Sequence, residues 1–113
     1  MTGQSTEKRI FTLGEAQQLL PEVKRVTQGA YESVARIIDS TSPSATEAET
    51  LSQANDLIAS WIRSIIALGC DVKGLWLVDF DCGHGYFCWQ HPEQNLSHYH
   101  SYDDGLAGRM KII

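Results

Sequence analysis

His98-Tyr99-His100 sets two imidazoles two residues apart. On a β-strand such residues point to the same face, so both can reach one metal ion. The preceding apolar stretch, Phe87-Cys88-Trp89, pairs back onto this one and brings the Cys88 thiol to the same face. Cys88, His98 and His100 therefore form a three-ligand candidate with an open position, and thiolate with imidazole suits zinc. The plainer reading of these residues is packing: cysteine is among the most commonly buried residue types, and His98 would face solvent near a sheet edge. Cys88 and His100 also have the composition of a nucleophile and its base, but no nucleophile-elbow motif accompanies them.

Asp79 stands between apolar neighbours in Leu77-Val78-Asp79-Phe80. A carboxylate there must be paired or stay at the rim. The expected partner is Arg109, whose fork of donors fits a carboxylate. In the functional version of this reading, Arg109 works with Gly105 and Gly108 to hold an anionic ligand. Gly105-x-x-Gly108-Arg109 is not a Walker loop, and the salt bridge is the preferred reading.

These residues lie in one region. All three cysteines, all four histidines and two of the three tryptophans fall between Gly69 and Arg109. The aromatic residues there are most simply core and interface. The whole chain has 113 residues, enough for one domain with a real core. Its net charge of −5 disfavours nucleic acid as a partner. No apolar stretch is long enough to cross a membrane. Met1 to Arg9 is polar, without the apolar core of a signal peptide. The expectation is a cytoplasmic protein with free thiols.

The elements that must position the site follow from periodicity. Residues 1–9 read as a flexible tail and 10–113 as a single domain, with a helical hairpin over 12–69 and a β-meander over 72–113. Ile10-Phe11 is expected to anchor as a short extended segment. Thr12 with Glu15, and Thr46 with Glu49, are capping boxes that start helices. Leu13, Ala16, Leu20, Val23, Thr27, Ala30, Val34 and Ile37 form a heptad seam. Pro21 interrupts it, so the spacing predicts a short helix to about residue 20, a kink, and a long helix to about 39. A loop spans Asp39 to Ser44. Leu51, Ala54, Ile58, Trp61, Ile65 and Leu68 make the second seam, and Gly69 ends it.

Strands are predicted over Leu75–Phe80, Tyr86–Gln90 and Leu96–His100, with a short fourth over Met110–Ile113. The first two are joined by a Gly-rich turn over Asp81–Gly85. This pairing puts Trp76, Val78, Phe80, Tyr86, Cys88, Leu96, His98 and His100 on one face. Leu75, Leu77, Asp79, Phe87, Trp89 and Tyr99 fall on the other. Both faces would then be apolar, and a helical hairpin covers only one, which predicts a homodimer.

Phe11-Thr12-Leu13, Leu19-Leu20-Pro21-Glu22, Leu77-Val78-Asp79-Phe80, Cys88-Trp89, Glu93, Tyr99-His100 and Gly105-x-x-Gly108-Arg109 resemble, in order and spacing, the bacterial domain of unknown function 2203 family. The resemblance runs from Ile10 over nearly the whole chain. It implies a long helical hairpin with a small antiparallel sheet. It implies no activity, so no catalytic role is carried over. Cys88, Trp89, Glu93, His100 and Arg109 match the family pattern. The chain departs from it at His91-Pro92, where glycine is usual, and at Asp81-Cys82, where proline is usual. His84, His91 and His98 are particular to this chain.

The expected fold is thus α+β, a kinked antiparallel helical hairpin on a three- to four-stranded antiparallel sheet. The leading functional expectation is a non-enzymatic homodimeric interaction module. The alternative is a small metal-binding protein or metal-dependent hydrolase using Cys88, His98 and His100. Asp79, Glu93 and Arg109 are its salt-bridge or ligand candidates.

Overall fold

A computed structural model of the chain describes residues 9–40, 46–104 and 108–112. The expected tail up to residue 8, the loop positions 41–45, Gly105 and Ile113 lie outside the described residues.

Two helices, α1 (Leu13–Asp39) and α2 (Glu47–Ala67), are followed by five strands. Both capping boxes form. Thr12 Oγ1 accepts from the Glu15 amide at 3.1 Å while Glu15 Oε1 accepts from the Thr12 amide at 2.9 Å. Thr46 and Glu49 repeat the arrangement at 3.0 and 2.7 Å. These bonds satisfy donors that the first helical turn leaves without partners. The buried residues of α1, Ala16, Leu20, Val23 and Thr27, follow the expected seam. They pack with Trp61 and Ile65 of α2. Thr27, fully buried, accepts a hydrogen bond from Trp61 Nε1 at 2.8 Å. Arg9, ahead of α1, donates to the Leu68 carbonyl just past α2, so the helices run antiparallel.

The two-piece first helix is corrected: α1 is continuous through Pro21. Pro21 and Gln17 lie on the exposed side, so the carbonyl that loses its donor can be solvated. Interior proline costs about 3 kcal/mol. Leu20 and Val23, buried on either side, each return about 1.5–3 kcal/mol, enough to hold the helix together.

Gly69 stops α2 as expected. Its φ is +94°. The Cys70 amide donates to Ile65 O and the Gly69 amide to Ile66 O, a Schellman pattern that caps the last turn. A Cβ at Gly69 would also collide with the Arg9 side chain.

The sheet is an antiparallel meander in the order β1 (Asp71–Gly74), β2 (Leu77–Asp81), β3 (Gly85–Gln90), β4 (His98–Ser101) and β5 (Met110–Lys111). It has one strand more than the expected three to four, because β1 precedes the predicted first strand. Leu75 and Trp76 form the β1–β2 turn, and Trp76 has a φ of +60°, which no strand accommodates. The Trp76 ring instead packs edge-on to Trp61, 4.9 Å between centroids. Phe11 anchors the chain ahead of α1: its N–H donates to Asp81 O at 2.7 Å, and its ring meets Phe80 edge-on.

The β3–β4 register agrees with expectation, with Tyr86 opposite His100 and Cys88 opposite His98. The β2–β3 register does not. Val78 pairs with Trp89, Asp79 with Cys88, and Phe80 with Phe87. The cause is the turn. Cys82 N–H donates to Gly85 O, leaving only Gly83 and His84 as central residues, with Gly83 at a φ of +90°. A two-residue connection replaces the expected five-residue one, and an odd shift exchanges the faces.

The corrected faces differ in chemistry. Val72, Val78, Phe80, Phe87 and Trp89 join the helices in the core. The outer face carries one large aliphatic side chain, Leu77, among Asp71, Asp79, Asp81, Tyr86, Cys88, Gln90, His98 and His100. No described helix is long and apolar enough to cross a membrane.

Candidate metal centre

Three adjacent strands each place one polar residue at the same point of the outer face. Asp79 comes from β2, Cys88 from β3 and His100 from β4. One ligand-type atom from each lies within 4.8 Å of the other two, and all three residues are buried. Asp79 and Cys88 are opposite each other in the ladder, and His100 lies two pairs along, opposite Tyr86.

His100 makes two defined contacts. Its Nδ1 is 2.9 Å from the Ser101 carbonyl oxygen. A carbonyl only accepts, so Nδ1 carries a proton and donates it. Its Nε2 is 2.9 Å from Asp79 Oδ2. That contact holds one proton, whether on the ring or on the carboxyl. The second carboxylate oxygen, Asp79 Oδ1, is buried without a hydrogen-bond partner among the described residues. Burial pushes the Asp79 carboxyl above the usual carboxylate range, against the opposing pull of His100, Cys88 and Lys73.

Burial also pushes the Cys88 thiol up to about 12, with the Asp79 charge adding to the effect. Cys88 is therefore a protonated thiol at neutral pH without a metal, which opposes the nucleophile reading. A metal ion changes this by displacing the proton. Tetrahedral zinc with bonds of about 2.0–2.3 Å holds its ligand atoms about 3.3–3.8 Å apart. The Asp79–His100 contact would open by less than an ångström, and no pair of the three atoms is more than 4.8 Å apart. The Ser101 carbonyl already provides the outer hydrogen bond that fixes a ligating imidazole.

The other sequence-predicted residues form a second group. The expected Asp79–Arg109 pair is corrected: Asp79 bonds His100, and Arg109 bonds Glu93. Arg109 Nη2 donates to Glu93 Oε1 at 2.7 Å and Oε2 at 2.8 Å. Glu93 Oε1 also accepts from the Gln90 amide at 2.9 Å, which ties this pair to the β3–β4 turn. The register explains the exchange, since His100 rather than Arg109 is across the face from Asp79. His98 shares the face but turns toward Glu93, its Nδ1 3.6 Å from Oε2, and is not in the three-residue cluster. The anion reading of Arg109 includes Gly105, which lies outside the described residues.

Asp79 as a cluster member was missed from the sequence because of the one-residue slip. The Gly83-His84 pair carried the signal, since glycine at the first central position favours a two-residue hairpin. Lys73 and Tyr86 were also missed. Lys73 Nζ is 3.3 Å from Tyr86 Oη and 4.4 Å above its ring. Beside the cluster is a cleft of about 530 Å³ that His100, Tyr86 and Lys73 help to line.

Comparison with curated proteins and with solved structures returns no match. The family model described as an uncharacterized conserved protein (DUF2203) matches residues 9–112, nearly the full length, and the chain belongs to that family.

Proposed function

We propose that this domain binds a divalent transition metal, zinc foremost, through Asp79, Cys88 and His100. The observation that carries the reading is the convergence of three ligand-type side chains from three neighbouring strands, all buried, with one carboxylate oxygen unsatisfied. An orphaned buried acceptor is costly unless a partner satisfies it. Carboxylate, thiolate and imidazole together suit zinc better than magnesium or calcium. Three protein ligands leave a position for water, which at zinc becomes a nucleophile near neutral pH. Metal-dependent hydrolysis is the corresponding reaction class. The free thiols of Cys70, Cys82 and Cys88 are in keeping with a reducing cytoplasm.

The test is metal uptake by the untagged full chain, read by native mass spectrometry and by the cobalt(II) spectrum. Wild type should take up one metal per chain, and cobalt should show a thiolate charge-transfer band. Asp79→Asn, Cys88→Ala and His100→Ala should each weaken binding beyond the roughly 10–100-fold cost of losing a supporting partner. Folded wild type without metal uptake, or uptake unchanged in all three variants, would overturn the reading.

A homodimer is the second proposal. The register removes one of its supports, because the outer sheet face is largely polar. What favours it now is the exposure of Leu75 at a groove lined by Ile58, Ile62 and Val72, and that of Ile66 on α2. The same native mass spectrum reads it, and a monomer at micromolar concentration would sink it.

A further inference from the structure

We infer that the cleft beside the Asp79–Cys88–His100 cluster binds a small oxyanion. One oxygen of the ligand completes the coordination of the metal, and Lys73 takes another. The inference rests on the metal reading and adds a ligand class to it.

Lys73 is placed by an irregularity. Across β1 and β2, Val72 pairs with Val78 and Gly74 with Leu77, which leaves Lys73 as an extra residue in a bulge. Bulges re-aim side chains and are frequent beside active sites. Here the bulge sends the lysine from the edge strand across β2 to Tyr86 on β3. It therefore passes over the strand that carries Asp79, whose charge it feels. The charge of Asp71 acts on it as well, and its hydrogen bond goes to the Tyr86 phenol. An ammonium has three donors, and a phenol oxygen takes one.

The cleft is built to receive such a ligand. Its volume of about 530 Å³ is in the range of small-molecule sites. His100 joins it to the metal cluster, and Lys73 and Gln90 bring donors to the same wall. Tyr86 is held between Lys73, His100 and Tyr102, which makes a rigid side. The rim carries Asp103 and Asp104. The Asp104 carboxylate is turned toward Ser101 Oγ at 3.0 Å. Acidic groups at the mouth favour a small ligand of low charge, so a carboxylate ranks ahead of a phosphate monoester, which carries about −1.5 to −2 at neutral pH.

The experiment uses cobalt(II)-loaded full chain, titrated separately with acetate and inorganic phosphate, with the visible spectrum as readout. Wild type should shift its cobalt bands saturably with at least one of them. Lys73→Met should keep cobalt uptake but bind the anion about tenfold more weakly, and Lys73→Arg should restore part of the response. A response to phosphate alone assigns a phosphate monoester, and to acetate alone a carboxylate. Cobalt uptake with no anion response, or equal responses in wild type and Lys73→Met, would overturn this inference while leaving the metal reading intact. A failure to take up cobalt would overturn both.

Discussion

His100 Nε2 sits 2.9 Å from Asp79 Oδ2, while the other nitrogen of the same ring donates to the Ser101 carbonyl at the same distance. The imidazole is thus clamped from both sides, and one proton is shared within a fully buried pair. Protonation of the Asp79 carboxyl must leave a mark on the stability of the metal-free protein. Burial holds the Asp79 carboxyl above its usual range, so the native state binds the proton more tightly than the unfolded chain does. The contribution is fully present below the ordinary aspartate value of about 3.9 and is lost as pH rises through the higher native value. Asp79→Asn removes this titration and still offers the ring a donor. Urea unfolding across that window should show wild type losing stability relative to the variant as pH rises. Parallel curves would contradict the assignment.

The thiols should react in a fixed order. Burial pushes both Cys70 and Cys88 up to about 12, whereas Cys82 is only half-buried in the β2–β3 turn. Alkylation of the native, metal-free protein at neutral pH, followed by peptide mass spectrometry, should label Cys82 first by a wide margin. Cys70 and Cys88 should react at comparable rates only after denaturation. Early labelling of Cys88 would mean that burial does not hold its thiol protonated.

Arg109 is held by Glu93, and both side chains are largely shielded, at 15% and 28% exposure. Arg109→Ala should destabilise the fold by about 1–3 kcal/mol in urea unfolding, since Glu93 loses its charged donor. Glu93→Ala should cost at least as much, because the Gln90 amide loses its acceptor as well. A change within about 0.5 kcal/mol for Arg109→Ala would mark the pair as a surface contact.

The helix seam contains one polar residue at a fully buried position, Thr27, and its hydroxyl accepts from Trp61 Nε1. Thr27→Val preserves shape and deletes that acceptor. The buried indole N–H should then cost about 1–3 kcal/mol, read as a lower urea midpoint with unchanged slope. No loss of stability would mean that the indole finds another partner.

Local chemistry made the helices legible. Thr12 with Glu15, Thr46 with Glu49, and Gly69 each satisfy backbone groups within a few residues, so no distant contact can override them. Continuity through Pro21 was not legible, because it depends on what Leu20 and Val23 bury against. The β3–β4 register was readable, which correctly brought Cys88 and His100 to one face. The β2 register was not, since Leu75-Trp76-Leu77-Val78-Asp79-Phe80 offers large apolar groups at both parities. Asp79 therefore fell on the wrong face, and its partner was misassigned. The Lys73 bulge left no mark in the residue pattern at all.

The turn at Gly83-His84 has a consequence for how this hairpin can vary. Because side chains alternate, a slip of one residue in the β2–β3 pairing would carry Asp79 into the core and push Val78 and Phe80 into water, whereas a slip of two would leave both faces as they are. A residue added inside the loop leaves the flanking pairs intact, so what the cluster depends on is the parity of the pairing and not the length of the turn.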